Sequence, residues 1–300
     1  MSKSGGTCVV AFPGQGIQKP GMARDIVGTS AWHLFEEASA ILGYDLGKLC
    51  LEGPAERLDQ TSHAQVAIFV TCLAHWELAR HELKPRYFLG HSLGEITALG
   101  AAGAFSFAEG VHLTKIRGEC MAKAPEGGMA AVLGLQIEAL YELCQQVRSK
   151  GPVIQVANEN SPSQTVVSGT REGLEQLTAL ALSQGAKRVI PLNVAGPFHS
   201  SLMEEVAAEF AGAIQGLEIK PCQTPVLSND GETILSGPEQ IREKLVGQLT
   251  GPVRFVRQIE KLSLLGIKDF VEVGPASILL PLARRIDPNL QFALVTGGGI

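Results

Sequence analysis

The sequence predicts an α/β protein: a mostly parallel sheet covered by helices, with a smaller unit inserted into it. Three observations predict it. Short apolar runs alternate with helix-length segments over most of the chain, the rhythm of a parallel sheet covered on both faces. Between residues 129 and 195 that rhythm changes to β-α-β-β-α-β, the order of a ferredoxin-like unit. The pentapeptide Gly90-His91-Ser92-Leu93-Gly94 stands between an apolar run and a helix start. The predicted organisation is therefore a body of residues 1–128 and 196–300 and a ferredoxin-like insert of residues 129–195.

In chain order, the apolar, β-branched run at 8–12 predicts a buried strand. Residues 32–42 and the longer, mostly apolar 64–80 predict helices, and 86–89 the strand that feeds Ser92. Helices follow at 94–102 and 107–124. The insert reads as strand 129–133, helix 137–150, strands 153–158 and 165–168, helix 171–184 and strand 186–192. The body resumes with helix 200–214, strand 224–228, helices 238–249 and 253–265, strand 268–273 and a last helix at 277–285. Gly297-Gly298-Gly299 reads as a frayed tail.

Composition narrows the function. At 45% apolar and 18% charged residues the 300-residue chain is globular, with ample length for a core. A net charge of −5 argues against nucleic acid or an anionic membrane as partner. No apolar run approaches the roughly 20 residues that span a bilayer, and no secretory segment precedes the first strand, which points to a cytoplasmic protein. The six cysteines are scattered without a C-x-x-C pair, so neither a metal site nor a disulfide framework is expected.

A G-x-S-x-G sequence between strand and helix is a nucleophile elbow, which raises the Ser92 hydroxyl on a tight turn. Side chains at the flanking glycines would clash in so sharp a turn, and the Leu93 N–H at the helix start faces where an oxyanion would form. A serine needs a base. His33, His63, His75, His81 and His112 lie in helical or helix-flanking patterns that packing explains, and His91 points away from Ser92. His199, on a loop after Ala195-Gly196-Pro197-Phe198 and at the junction of the two units, is the candidate. No Asp lies between Ser92 and His199, so a neutral acceptor such as a backbone carbonyl is expected to orient the base. The loop Phe12-Pro13-Gly14-Gln15-Gly16 offers a second oxyanion N–H from Gln15; it lacks the third glycine or Gly-Lys-Ser/Thr of a phosphate loop. Arg117, among apolar neighbours, either makes a structural ion pair or meets a substrate carboxylate.

These residues together resemble the malonyl-CoA:acyl-carrier-protein transacylases of fatty-acid synthesis and the acyltransferases of polyketide synthases. The resemblance runs along nearly the whole chain: Phe-Pro-Gly-Gln-Gly at 12–16, Gln65, Gly-His-Ser-Leu-Gly-Glu at 90–95, Arg-Gly at 117–118, Asn-Glu-Asn-Ser-Pro at 158–162, Gly-Pro-Phe-His-Ser at 196–200 and Val-Gly-Pro at 273–275. It implies an α/β-hydrolase-like body with a ferredoxin-like insertion. It implies that Ser92 carries the acyl group, that His199 is base and then acid, and that the N–H groups of Gln15 and Leu93 form the oxyanion hole. Arg117 would pair with the malonyl carboxylate and the Gln248 carbonyl would orient His199. Gln65 would support the elbow, Phe198 would crowd an α-methyl group, and Asn160 and Arg188 would face the CoA or carrier arm. The implied reaction takes malonyl from malonyl-CoA to the phosphopantetheine thiol of an acyl carrier protein by a ping-pong route, with no bound cofactor and no metal. Ile17 and Ile96 depart from the family pattern, and Ile96 is expected to alter the pocket wall. The rival reading is a hydrolase of carrier-bound thioesters using the same serine and histidine; Arg117 argues for transfer, since clearing simple acyl groups needs no carboxylate clamp. A generic esterase lacks its Ser…Asp…His order here, and a non-catalytic carrier-docking domain would have no use for Ser92 and His199.

Overall fold

The computed structural model describes residues 7–297. The chain opens with strand β1 (Cys8–Phe12), whose five residues are all buried. A single-turn 3-10 segment at Ser30–Trp32 leads into α1 (His33–Leu42), then α2 (Leu46–Glu52), α3 (Ala55–Leu58) and α4 (Thr61–Ala79). Next come β2 (Pro85–Gly90), α5 (Leu93–Ala101) and α6 (Phe107–Ala122). The following stretch holds β3 (Gly128–Leu133), α7 (Ile137–Arg148), β4 (Ile154–Ser161), β5 (Gln164–Gly169), α8 (Arg171–Ser183) and β6 (Arg188–Pro191). The chain finishes with α9 (Glu204–Ala213), β7 (Val226–Leu227), β8 (Ile234–Leu235), α10 (Pro238–Gly247), α11 (Phe255–Leu264), β9 (Asp269–Val273), α12 (Leu279–Ile286) and β10 (Gln291–Val295).

Two sheets result. The six-stranded one runs β10-β9-β1-β2-β7-β8, parallel at every pairing except the terminal β7–β8 hairpin. β1 sits at its centre because Val9 and Ala11 face one apolar cluster, with α11 and α12, while Val10 and Phe12 face the other, with α4 and α5. A strand buried on both faces has no polar side to alternate, hence its continuous apolar run. The four-stranded sheet is antiparallel in the order β4-β5-β3-β6 and packs α7 and α8 over a cluster of its own.

Differences from the expectations are local. α2 and α3 were not expected: α2 is a seven-residue helix started by Asp45, whose side chain accepts from the Lys48 N–H, and α3 only a single turn. The run at 200–214 begins as a 3-10 turn at Ser201–Met203 and becomes α9 only at Glu204. The chain does not stop after α12 either, because Gln291–Val295 adds an edge strand beside β9. The run at 292–295 is uninterruptedly apolar but short and without alternation, and at the sheet edge Phe292, Ala293 and Leu294 are only half-buried. The expected fraying at the end is corrected at Gly297, whose N–H donates to Nδ1 of buried His75 at 2.8 Å; Gly298 and Gly299 lie outside the described residues.

Candidate active site

The elbow forms as the motif requires. Ser92 takes φ 52° and ψ −109°, a strained left-handed conformation for a residue with a side chain. Both flanking glycines are demanded by close approach: a Cβ on Gly90 would lie 1.9 Å from the Gly94 carbonyl carbon, and one on Gly94 2.0 Å from the Phe12 carbonyl oxygen. The His91 N–H donates to that same Phe12 oxygen at 3.1 Å, which ties the elbow to the loop after β1. The Gly16 N–H in this loop donates to Gln18 Oε1 at 2.7 Å, and Gln18 Nε2 to Asp59 at 2.9 Å, which ties down the peptide that follows Gln15. Gln15 and Leu93 both line a pocket of about 270 Å³ above Ser92, and neither N–H has an intramolecular acceptor among the described residues.

His199 reaches Ser92 from the far wall. Its Nε2 lies 2.8 Å from Ser92 Oγ, while Nδ1 lies 2.7 Å from the Gln248 carbonyl and 3.1 Å from that of Gly251. Two carbonyls can only accept, so Nδ1 carries the proton and Nε2 is left free to take one from the serine. His199 also has a positive φ, 59°, and its N–H donates to the Leu249 carbonyl at 3.1 Å. The segment 248–251 therefore grips the histidine at three points, and the neutral acceptor foreseen in place of an acid is a pair of peptide carbonyls. Burial, then the nearby Arg117 cation, pushes the imidazole down to about 3, so it is neutral and able to act as a base at neutral pH.

Arg117 is fully buried on α6. Its Nη1 donates to Gln65 Oε1 at 2.8 Å, and its Nη2 to Gln248 Oε1 at 2.7 Å, with Ser92 Oγ at 3.4 Å. No carboxylate lies within 4.0 Å of it among the described residues, and Nε has no partner at all. The sequence left open whether Arg117 meets a structural anion or a ligand; the structure supplies only neutral acceptors. Burial lowers the guanidinium to about 10, which still leaves a cation at neutral pH. The Glu95 carboxylate acts on it only from behind the Gln248 amide; a buried cation with no anion in contact is costly to maintain, and it is poised for one brought in from outside.

The remaining residues divide. Phe198 is buried in the pocket wall. Gln65 does not touch the elbow; α4 packs along α6 and brings its amide to Arg117 and to the Met121 sulfur at 3.1 Å. Asn160 does not face the pocket either. Its Oδ1 accepts from His91 Nε2 at 2.8 Å, and Asn158 takes the place in the lining, because the β4–β5 pairing is irregular at 156–158 and again at 159–161. Arg188 is exposed on edge strand β6 and is absent from the lining. Ile96 is in the core rather than the pocket wall, and Ile17 is buried in the same large cluster.

Sequence reasoning missed a buried cluster beneath the elbow. The Ser92 N–H donates to Asn229 Oδ1 at 3.0 Å, and Glu95 accepts from both Asn229 and Gln248. The only signal was Glu95 as the last letter of the elbow motif; Asn229 lies 137 positions beyond Ser92 in an unremarkable Ser-Asn-Asp-Gly turn.

A serine–histidine pair, two free peptide N–H groups and a buried guanidinium thus converge on one pocket. A family profile described as an acyl transferase domain matches residues 9–286. The chain belongs to that family. Among its relatives, a malonyl CoA-acyl carrier protein transacylase of Bacillus subtilis strain 168 is 41% identical, over 95% of this chain and 92% of that protein. A crystal structure of an acyl carrier protein S-malonyltransferase from Vibrio cholerae superposes with a TM-score of 0.93 at 36% identity, over 96% of each chain. A type II PKS acyl-carrier protein in complex with its malonyl-transacylase contains a chain that matches equally well, with a TM-score of 0.93 at 36% identity over 97% of both chains. The same mixed α/β architecture with a mainly parallel sheet is common to these structures and this one.

Proposed function

We propose that this acyl transferase moves a malonyl group from malonyl-CoA to the phosphopantetheine thiol of an acyl carrier protein. The observation that carries the reading is the Arg117 guanidinium, buried with no carboxylate in contact with it among the described residues and 3.4 Å from the Ser92 hydroxyl. An acyl group that ends in a carboxylate supplies the contact the guanidinium lacks and presents its thioester to the serine. The names of the relatives agree with it.

The reaction runs in two halves. Ser92 Oγ attacks the thioester carbonyl as His199 Nε2 takes its proton, and the oxyanion is received by the Gln15 and Leu93 N–H groups. The C–S bond then breaks, the proton passes from His199 to the CoA sulfur, and malonyl-Ser92 remains. CoA leaves, a carrier phosphopantetheine thiol gives its proton to His199 and attacks the ester, and Ser92 recovers its proton as the C–O bond breaks. Malonyl-CoA enters as substrate, and no step calls on a metal or a bound cofactor. The wall formed by Phe198 disfavours an α-methyl group, so malonyl is preferred to methylmalonyl.

The same reading divides the chain into an α/β-hydrolase-like body, residues 1–128 and 196–300, and a ferredoxin-like insert, residues 129–195. An elbow between parallel strand β2 and helix α5 supports the first description. Four antiparallel strands with two crossing helices, in the order β6-β3-β5-β4, support the second. Six cysteines without a disulfide among them accord with a reducing, cytoplasmic setting, and no helix among the described residues is long and apolar enough to cross a membrane.

Intact-protein mass after brief mixing with malonyl-CoA tests the proposal, beside acetyl-CoA, methylmalonyl-CoA and Ser92→Ala. A malonyl adduct on the wild type alone, discharged when a carrier protein is added, is the expected result. CoA release with no lasting adduct would instead mean hydrolysis.

A further inference from the structure

Glu95 is the member of the elbow motif that the reaction leaves unused. It sits three residues beyond Ser92 in the first turn of α5, buried, with no cation within 4.0 Å among the described residues. Its partners are amides. Oε1 accepts from the Asn229 backbone N–H at 2.9 Å; Oε2 accepts from Asn229 Nδ2 at 2.7 Å and from Gln248 Nε2 at 2.6 Å. An ionised carboxylate has acceptors only, so every amide that faces it must face it with nitrogen. That leaves each amide with its oxygen directed elsewhere. The Asn229 oxygen accepts from the Ser92 N–H, and the Gln248 oxygen accepts from Arg117 Nη2. Gln248 also holds His199 through its own carbonyl.

We propose that Glu95 is a positioning residue: it fixes the direction of the Asn229 and Gln248 amides, and through Gln248 it sets the selectivity of Arg117 for carboxylate-bearing acyl groups. The inference rests on the malonyl-transfer reading. It does not require Glu95 to touch the substrate, which the intervening amides prevent. Burial pushes the carboxyl upward and the Asn229 hydrogen bonds oppose that push; the three N–H donors on its two oxygens leave no acceptor there for a carboxyl proton.

Replacing Glu95 by Gln alters one atom and reverses one polarity. The Asn229 peptide N–H cannot turn, so the new side chain keeps its oxygen at the Oε1 position and places its NH₂ where Oε2 was. There it meets the nitrogens of both amides. When Gln248 turns to relieve that contact, its own NH₂ faces the Arg117 cation, and the guanidinium exchanges an acceptor for a donor.

The test measures acylation kcat/KM with malonyl-CoA and with acetyl-CoA for the wild type, Glu95→Gln, Gln248→Met and the double variant, with thermal melting of each. Gln248→Met removes the amide and keeps the peptide carbonyl that His199 needs. The malonyl-to-acetyl ratio is expected to fall about tenfold in each single variant, the scale of one hydrogen bond to a charged group. The double variant is expected to fall no further than Gln248→Met alone, because Glu95 acts through that amide. Equal losses for both substrates in Glu95→Gln would overturn the proposal, since a merely structural role lowers both together. Should Glu95→Gln not fold, Gln248→Met decides alone: an unchanged ratio there overturns the proposal. A wild type that does not take malonyl at all overturns the transfer reading itself, and that result is read before any variant.

Discussion

Removing the Arg117 side chain separates binding from folding. In Arg117→Ala the pocket loses the only Lys or Arg side chain that lines it among the described residues, and the Gln65 and Gln248 amide oxygens each lose their donor. A hydrogen bond to a charged group contributes about 1.5–3 kcal/mol. A carboxylate taken by the fork forms two such bonds, so the lower bound is about 3 kcal/mol. At about 1.36 kcal/mol per factor of ten, malonyl-CoA should lose roughly 150-fold in acylation kcat/KM. Acetyl-CoA has no carboxylate to lose and should change only a few-fold. Stability should move little, because two unsatisfied buried acceptors, at about 1–3 kcal/mol each, are offset by relief of a buried cation with no anion beside it. Stopped-flow CoA release with both donors, read against the melting temperature, measures all three quantities. A malonyl-to-acetyl ratio within twofold of the wild type would refute the assignment of Arg117 as the carboxylate site.

Four further outcomes are expected. With His199 pushed down to about 3, the base stays neutral far below the ordinary imidazole value of about 6.5, so acylation kcat/KM should be flat from about pH 8 to pH 5.5; a tenfold loss per unit below 6.5 would contradict it. The same depression costs stability as pH falls below about 6.5, where the unfolded histidine binds a proton and the folded one does not, and acid melting curves should show this slope. Gly94→Ala puts a Cβ 2.0 Å from the Phe12 oxygen and should yield little folded protein, whereas Gly212→Ala in α9, with open space around it, should raise stability by up to about 1 kcal/mol on chemical denaturation. Phe198→Ala should relax the preference for malonyl over methylmalonyl by about 1–3 kcal/mol, seen as a roughly tenfold or greater rise in the relative rate of methylmalonyl loading.

What the sequence made legible follows from how far each signal reaches along the chain. The elbow was readable because strand, Ser92 and helix are contiguous, and the β-α-β-β-α-β order of residues 129–195 because each element carries its own period. His199 emerged by elimination, being the histidine on a loop between units. Gln248 did not: its carbonyl is a peptide group that any residue has, and only the resemblance pointed to it. Gln65, Glu95 and Asn229 serve as buried hydrogen-bond partners over separations of 52 to 153 residues, and nothing local marks an amide that will be buried. Asn160 went astray for a different reason. Strand parity assigns 158 and 160 to one face, and the irregular pairing of β4 places their side chains differently.

The grip on His199 has a consequence for recombination between relatives. Two residues beyond Gly251, Val253 donates to the Ala157 carbonyl and accepts from the Glu159 N–H, both at 2.8 Å, so the strap behind the imidazole is hydrogen-bonded into β4. His91 is moored to the same strand through Asn160. A chimera that exchanged only residues 129–195 would keep its nucleophile and its guanidinium, yet set its base on a foreign foundation. Residues 248–254 should travel with the small sheet, since by backbone pairing they belong to it as much as to the body that encodes them.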